Sequence, residues 1–203
     1  MRFVRCAAAP FPPKRLGIFP GSFNPVTIAH LALAHAALDV VDEVVFVLPR
    51  AFPHKPYSGA TFDQRLELLA AALNPEPNCS IAASQGGLFI EIARECRKIY
   101  GPVPRLSFLC GRDAAERISG WDYGAPGAWR EMLREFDLLV ADRRGEYLPE
   151  AAELASFQSI RVDPACDEVS ASEVRRRIAH GEPWEHLTPE AIHQRLREIY
   201  TPA

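Results

Sequence analysis

The chain has 203 residues, 48% of them hydrophobic and 24% charged, which is typical of a globular chain with one core of ordinary size. Its formal net charge of −3 excludes a general attraction to nucleic acid or anionic membranes, so any bound anion must be held by a local arrangement of residues. The five cysteines are scattered without a Cys-x-x-Cys pair, which argues against a zinc site or a disulfide framework and favours reduced thiols in the cytoplasm.

Apolar segments that suit buried strands alternate with helical patterns along the sequence. Strands are predicted at residues 16–19, 43–48, 80–83, 106–110, 138–141 and 159–162. Helices are predicted from Thr27 onward, at 61–73, 88–100, 170–180 and 189–200, with shorter pieces before Trp121 and at 126–136. This alternation indicates parallel βαβ units and therefore an α/β fold with a doubly wound, mostly parallel sheet. No apolar run is long enough to cross a membrane.

The chain is interpreted as a single domain over residues 1–203, because no repeat, low-complexity tract or long linker divides it. Residues 1–14 are expected to be a loose tail, since prolines interrupt the short apolar run there. Residues 165–203 are expected to form C-terminal helices.

The stretch from Gly17 to His30 combines a strand end, a glycine-containing turn and a helix start. Pro20 and Gly21 interrupt the strand, and Thr27 is placed as the helix N-cap, so that His30 falls in the first helical turn. Backbone N–H groups of such a turn and the positive helix end face one point, which suits a phosphate. An ordinary strand-to-helix loop with a capping Thr and an incidental His explains the spacing equally well.

A second candidate is the stretch 169–175, Val-Ser-Ala-Ser-Glu-Val-Arg. Ser170 and Glu173 have the spacing of a capping box, which by itself explains the stretch as a helix start. Ser172 then lies at the second helical position and Arg175 lies one turn further on. Two hydroxyls, a helix N-terminus and a guanidinium together form a strong anion site.

Two further segments carry candidate binding residues. Gly111 at the end of a buried strand allows close approach of a ligand, and Asp113 can accept hydrogen bonds from a ribose or a base, although a turn glycine and an N-cap aspartate would look the same. Pro53-His54-Lys55 lies in a proline-rich loop. Lys55 gives this loop a cationic tip, but exposed lysines are usually only solvated.

These motifs resemble those of the nucleotidyltransferase superfamily. The first stretch is similar to the superfamily's first signature, whose last four positions are His or Thr, any residue, Gly and His. Here Thr27 stands at the first of these positions, Ala29 replaces the Gly, and His30 is the final His. The second stretch resembles the signature Ile-Ser-Ser/Thr-x-x-x-Arg, with the Ser172 hydroxyl and Arg175 retained.

Within that superfamily, the chain looks most like the bacterial nicotinate mononucleotide adenylyltransferases. This chain shares three features with them: the Pro-His-Lys loop, a Gly-x-Asp followed by Trp (residues 111–121), and the C-terminal segment 181–200. The resemblance therefore covers most of residues 15–200. The resemblance implies a dinucleotide-binding (Rossmann-like) strand order, with the strands at 16–19 and 106–110 adjacent.

The resemblance implies transfer of an adenylyl group from ATP to a mononucleotide phosphate, with nicotinate mononucleotide favoured, and release of pyrophosphate for NAD biosynthesis. The catalytic roles fall to His30, Thr27 and Arg175, with both His30 and Thr27 donating hydrogen bonds to phosphate. The residues expected to bind ATP are Gly21, Ser22, Phe23, Thr27, His30, Gly111, Asp113, Ser170, Ser172 and Arg175. Lys55 and Trp121 are expected to bind the acceptor.

The expected partners are ATP and a phosphorylated small molecule, without nucleic acid or membrane, and a homo-oligomer is compatible with the sequence. Magnesium (Mg2+) would be carried with ATP and would need few or no protein ligands. One departure concerns the acceptor: the nicotinate enzymes usually carry Ser-Tyr-Thr after the third strand, whereas residues 84–90 here contain neither Tyr nor Thr. Alternatives are therefore an adenylyl- or cytidylyltransferase acting on phosphopantetheine or another phosphorylated small molecule, and a non-catalytic nucleotide-binding sensor.

Overall fold

The fold is given by a computed structural model that describes residues 1–5, 7, 11–50, 59–102, 104–142 and 145–201. The strands within these ranges are β1 Arg2–Arg5, β2 Arg15–Pro20, β3 Glu43–Pro49, β4 Cys79–Ser84, β5 Arg105–Gly111, β6 Asp137–Ala141 and β7 Phe157–Ile160. The α-helices are α1 Ile28–Leu38, α2 Phe62–Ala72, α3 Phe89–Tyr100, α4 Arg112–Ser119, α5 Ala128–Met132, α6 Ala171–His180 and α7 His193–Tyr200.

The strands form one sheet in the order β1-β4-β3-β2-β5-β6-β7. All neighbouring strands are parallel except β1 and β4, which are antiparallel. The chain order reverses at β2, which pairs with β3 on one side and β5 on the other. Ligands of such sheets bind beyond the carboxyl ends of the strands at this switch point. The predicted fold class is confirmed, as is the adjacency of the strands that contain residues 16–19 and 106–110.

Both faces of the sheet are covered, and β3 illustrates why. Its side chains alternate between the faces, as the two-residue repeat of a strand requires. Val44, Phe46 and Leu48 pack into one core with residues of α1, α2, α6 and α7, whereas Val45 and Val47 pack into a second core with residues of α3 and α5. Burial on both sides explains why this segment reads as a continuous apolar run rather than as an alternating one.

The expected loose tail at residues 1–14 is wrong in part, because residues 2–5 form an edge strand. Arg2 and Phe3 lie opposite Ala83 and Ala82 of β4, and the Phe3 ring packs edge-on against Tyr100 with ring centroids 5.7 Å apart. Four residues are too few to give a recognisable strand pattern. The pairing protects an edge of β4 that would otherwise expose hydrogen-bonding groups.

The remaining differences concern element ends. The helix predicted at 126–136 is only five residues long, as α5, and the last helix begins at His193 after a 3₁₀ turn at Glu190–Ile192. Among the residues that the structure describes, no helix combines the length and the apolar character needed to span a membrane.

Candidate active site

Two of the predicted glycine segments lie at the carboxyl ends of neighbouring strands, at the switch point of the sheet. The backbone N–H of Gly21 donates to the carbonyl of Val47 over 3.0 Å, which keeps the chain beside β3 as it leaves β2. In the parallel pair of β2 and β5, Ile18 lies opposite Phe108. Gly21 directly follows β2 and Gly111 ends β5, so both lie at the edge where ligands bind in sheets of this order.

The turn that follows β2 is built around the ring of Phe23. Phe23 has a left-handed φ of 42°, and it is only 1% exposed because its ring packs on Phe19, Phe46 and His30. A Cβ added at Gly21 would lie 2.8 Å from this ring, so a glycine is required there. Phe23 was predicted to bind ATP; its side chain faces the core, which leaves only its backbone for that role.

Thr27 and His30 form the first turn of α1, as predicted. The backbone N–H of Thr27 lies 3.0 Å from Nδ1 of His30, and the Thr27 hydroxyl lies 2.8 Å from the same nitrogen. An amide N–H can only donate, so Nδ1 must accept and the proton of the neutral imidazole resides on Nε2. His30 therefore takes the place that Glu or Gln holds in a capping box, and presents Nε2–H as its donor.

The surroundings of Thr27 show what its side chain contacts. The residue is fully buried, and its hydroxyl faces the His30 imidazole. Through its N–H and its hydroxyl, Thr27 sets the tautomer and the orientation of the His30 ring. Donation from the Thr27 hydroxyl to a phosphate stays a prediction.

The N-terminus of α6 is capped as predicted, with one difference. The Ser170 hydroxyl accepts from the backbone N–H of Glu173 over 3.1 Å. The reciprocal bond of a capping box does not form, because the Glu173 carboxylate accepts from Arg176 at 2.9 Å and Arg177 at 2.7 Å. These guanidinium groups, Arg176 first and then Arg177, lower the pKa of Glu173 to about 2. Arg176 and Arg177 are thereby held by Glu173, whereas Arg175 turns elsewhere.

Arg175 joins the second motif to the first. One of its terminal nitrogens donates to the backbone carbonyl of Asn24, and the other donates to the Ser172 hydroxyl at 3.3 Å. The two signatures, far apart in the chain, thus meet at the carboxyl end of β2. Their meeting puts a guanidinium and two hydroxyl-bearing residues of a helix start next to the His30 turn, an arrangement suited to an anion with several oxygens.

Two more helices hold the same loop, and sequence reasoning did not find this. Arg65 of α2 is only 1% exposed and donates to the carbonyls of Ser22, at 3.0 Å, and Thr61, at 3.3 Å. Tyr200 of α7 donates from its hydroxyl to the side-chain carbonyl of Asn24. A signal for Arg65 was present, because it begins the buried stripe of α2 that continues with Leu68, Leu69 and Ala72. An arginine in such a stripe normally has a buried polar partner.

Gly111, Asp113 and Trp121 follow one another along the chain at and after the end of β5. Gly111 is itself the N-cap of α4, so the alternative reading of Asp113 as the N-cap is wrong. The Asp113 side chain is 75% exposed and lies 3.5 Å from the Arg112 guanidinium. Trp121 is 42% exposed, just beyond the end of α4. Asp113 and Trp121 are therefore accessible to a ligand, and Gly111 ends the strand that pairs with β2.

Gly111 allows a direct test of ligand approach. We expect Gly111→Ala to fold like the wild type, because an added Cβ meets no heavy atom within 4 Å and the φ of −83° suits any residue. If ATP contacts this backbone, the methyl group should weaken ATP binding roughly tenfold or more by overpacking. Calorimetric titration with ATP and thermal unfolding measure the two effects separately.

Gly21→Ala is the contrasting variant. Its methyl group would collide with the buried Phe23 ring, so unfolding stability should fall by about 1–3 kcal/mol. Equal ATP affinity for Gly111→Ala and wild type would mean that the ligand does not contact the end of β5.

Lys55 lies outside the described residues, so its part in the acceptor site stays a prediction. The segment that contains it, 51–58, connects Arg50 at the end of β3 with Gly59 just before α2. Among the residues that are described, no group of three or more His, Cys, Asp or Glu side chains is arranged to hold a metal ion.

A parallel sheet with a glycine turn, a histidine-bearing helix start and an arginine-bearing helix start at its switch point defines a nucleotide-binding α/β protein. Residues 18–177 match the family described as cytidylyltransferase-like, and the chain belongs to that family.

Relatives of similar length extend the comparison beyond the motifs. The chain is 33% identical to a probable nicotinate-nucleotide adenylyltransferase of Bordetella avium, over 94% of this chain and all of the relative. It is 32% identical to a protein of the same name from Thermus thermophilus, over 88% of this chain and 94% of the relative. The resemblance that the motifs indicated is confirmed by these relatives.

Solved structures support the fold. A Plasmodium falciparum nicotinic acid mononucleotide adenylyltransferase complexed with NaAD superimposes with a TM-score of 0.68 and 17% identity, covering 90% of this chain and 96% of that one. The same enzyme complexed with APC gives a TM-score of 0.65 and 18% identity, covering 92% and 98%.

Proposed function

We propose that the chain transfers the adenylyl group of ATP to the phosphate of nicotinate mononucleotide and releases pyrophosphate, a step of NAD biosynthesis. The observation that carries the proposal is the contact of Arg175 with the Asn24 carbonyl, because it joins both nucleotidyltransferase signatures at the switch point. The relatives named probable nicotinate-nucleotide adenylyltransferase support the choice of acceptor.

The reaction needs charge stabilisation more than it needs a base. An oxygen of the acceptor phosphate, already anionic at neutral pH, attacks the α-phosphorus of ATP. The bond from this phosphorus to the bridging oxygen breaks, and pyrophosphate leaves with the electron pair. Charge therefore builds on the α-phosphate oxygens and on the leaving group, where preorganised donors are most effective.

The described residues supply such donors. His30 donates from Nε2 to the α-phosphate, in the ring orientation that Thr27 fixes. Arg175 binds the phosphates that leave as pyrophosphate, together with the Ser172 hydroxyl beside it. Magnesium enters as part of the MgATP substrate and offsets triphosphate charge. Such an ion keeps waters and phosphate oxygens as most of its ligands, which suits a site whose described residues offer no carboxylate cluster.

One observation keeps a second acceptor in view. Where the nicotinate enzymes usually have Ser-Tyr-Thr, the loop after β4 donates its backbone N–H groups to carboxylates of α3. Those of Gln85 and Gly86 lie 3.2 Å from Glu95, and those of Gly87 and Leu88 lie 3.0 Å from Glu91. Because these N–H groups already donate to carboxylates of the same chain, other phosphorylated acceptors such as phosphopantetheine should be tested beside nicotinate mononucleotide.

A substrate screen tests the proposal. Nicotinate mononucleotide, nicotinamide mononucleotide and phosphopantetheine are each incubated with ATP or CTP, and pyrophosphate release is followed while products are identified by mass. We expect the highest kcat/KM for ATP with nicotinate mononucleotide. Preference for phosphopantetheine or CTP would overturn the proposed acceptor or donor. ATP binding without pyrophosphate release from any pair would favour the nucleotide-binding sensor.

Lys55 provides a test of the acceptor site. A loop ammonium suits an acceptor phosphate that carries nearly two negative charges, so Lys55→Ala should impair acceptor use far more than ATP binding. We expect a loss of roughly tenfold or more in acceptor kcat/KM, as for a hydrogen bond to a charged group. Lys98→Ala, which removes an exposed lysine from α3, is the charge-matched control. An unchanged acceptor KM and kcat/KM in Lys55→Ala would remove Lys55 from the site.

A further inference from the structure

Arg50 directly follows β3 at the carboxyl edge of the sheet, and the chemistry proposed above does not use it. Its backbone N–H donates to the carbonyl of Ser84, the last residue of β4, over 3.0 Å, which holds Arg50 beside that strand. The side chain is exposed. Since ligands of such sheets bind beyond the carboxyl ends of the strands, the Arg50 guanidinium lies where it can meet a bound anion.

The guanidinium of Arg50 is held by an aromatic ring. Its central carbon lies 4.6 Å from the centroid of the Phe62 ring, within the range of a cation–π contact. Within the part of the chain that the structure describes, no carboxylate forms an ion pair with it, whereas Arg195 pairs with both Glu67 and Glu198. The N–H donors of Arg50 are therefore available to an anionic ligand.

The ring that holds Arg50 is itself fixed. Phe62 is the first residue of α2, directly after the N-cap Thr61, and it packs against the core that α2 shares with α1. An arginine that stacks on a fixed ring has lost part of its rotamer freedom before any ligand binds. Less conformational entropy is then lost on binding, and this preorganisation favours affinity.

The same ring connects Arg50 with the turn after β2. The Arg65 guanidinium lies 5.7 Å from the centroid of the Phe62 ring, and it donates to the carbonyl of Ser22 in that turn over 3.0 Å. One ring and one guanidinium thus separate Arg50 from the turn where the triphosphate is proposed to bind. Both positive charges favour a further anion in this neighbourhood.

We propose that Arg50 binds the phosphate of the acceptor. The inference rests on the proposed function, because that reaction brings a second phosphate to the edge of the sheet where the triphosphate lies. His30 and Arg175 serve the triphosphate, which leaves Arg50 for the second phosphate. A phosphate with nearly two negative charges presents pairs of oxygens to the planar guanidinium, so that Arg50 contributes both affinity and orientation.

Arg50→Ala tests the inference with two ligands that differ only by the phosphate, nicotinate mononucleotide and nicotinate riboside. Their binding is measured by calorimetry in the presence of ATP whose α,β-bridging oxygen is replaced by methylene, so that pyrophosphate cannot leave. The substitution should weaken binding of the mononucleotide roughly tenfold or more and change binding of the riboside less than about threefold. Loss of a merely structural side chain would change both affinities alike.

Three further variants separate the charge, the stacking and the fold. Arg50→Lys keeps the charge but loses the planar fork, so it should recover only part of the affinity for the mononucleotide. Phe62→Leu removes the ring and keeps an apolar side chain, and it should cause a smaller loss, again for the mononucleotide alone. Arg134→Ala removes an exposed arginine just after α5, on the other face of the sheet, and should bind both ligands like the wild type.

Equal losses of affinity for the mononucleotide and the riboside, or no loss for either, would overturn the inference. A loss confined to ATP would assign Arg50 to the triphosphate and would overturn it as well. The proposed function fails separately, if the wild type adenylylates phosphopantetheine and not nicotinate mononucleotide. Phosphopantetheine and pantetheine then form the pair of ligands that tests Arg50, with the same expected difference.

Discussion

His30→Ala should lower kcat about 10²- to 10³-fold while ATP still binds measurably, as expected for the loss of a preorganised donor to transition-state charge. The structure sharpens this expectation. Because the Thr27 backbone N–H donates to Nδ1, the proton lies on Nε2, the nitrogen that can donate to phosphate. The loss should therefore appear in kcat and in kcat/KM alike, and ATP titration should give a much smaller change in Kd.

The same substitution also removes the acceptor that caps α1, so a second variant must separate capping from catalysis. Gln is common at the third position of a helix, where its side chain accepts from the backbone N–H of the N-cap residue. His30→Gln should therefore restore most of the stability lost in His30→Ala, about 1 kcal/mol, without restoring kcat. His35→Ala, on the exposed side of α1 where His35 pairs with Glu76 at 2.8 Å, is the control for losing a histidine from this helix. Activity of His30→Ala within about threefold of wild type would leave His30 as a capping residue only.

Much of the fold was predictable because its signals are local. The buried run of β3 and the start of the helix predicted at 61–73 depend on residues that are close in the sequence. Both are found where the patterns placed them, with Thr61 as the N-cap of α2. The order of the strands did not come from such patterns. It followed from the resemblance to nucleotidyltransferases, and the pairing of β2 with β5 confirms it.

The contacts that organise the site were not predictable in this way. Tyr200 and Asn24 are 176 residues apart in the sequence, and Arg65 reaches Ser22 from 43 residues away. Such pairs leave no periodic trace, since periodicity reports only which face of an element is buried. The contact between Thr27 and His30 was hidden for a related reason: the motif identifies both residues, but only the structure reveals that the Thr27 hydroxyl is buried and faces His30.

Two arginines in neighbouring positions of α6 have different environments, so substitutions of the two should have different effects on activity. Arg176 is exposed and paired with Glu173 and Glu182, whereas Arg175 contacts Asn24 and Ser172 at the switch point. A triphosphate offers Arg175 several anionic oxygens, which its planar fork can bind in pairs. The function of the second motif should therefore depend on Arg175 and not on the charge of the helix as a whole.

Arg175→Ala should reduce kcat/KM for ATP roughly 10- to 150-fold. This corresponds to the free energy of about 1.5–3 kcal/mol that hydrogen bonds to a charged group usually contribute. Arg175→Lys keeps the charge but loses the fork, so it should recover only part of the activity. Arg176→Ala removes an equal charge one residue away and should stay close to wild type. Steady-state kinetics with varied ATP, together with thermal unfolding of each variant, distinguish lost binding from lost fold. Full activity in Arg175→Ala would show that the stretch from Ser170 is only a capped helix, and it would remove the observation on which the proposed function rests.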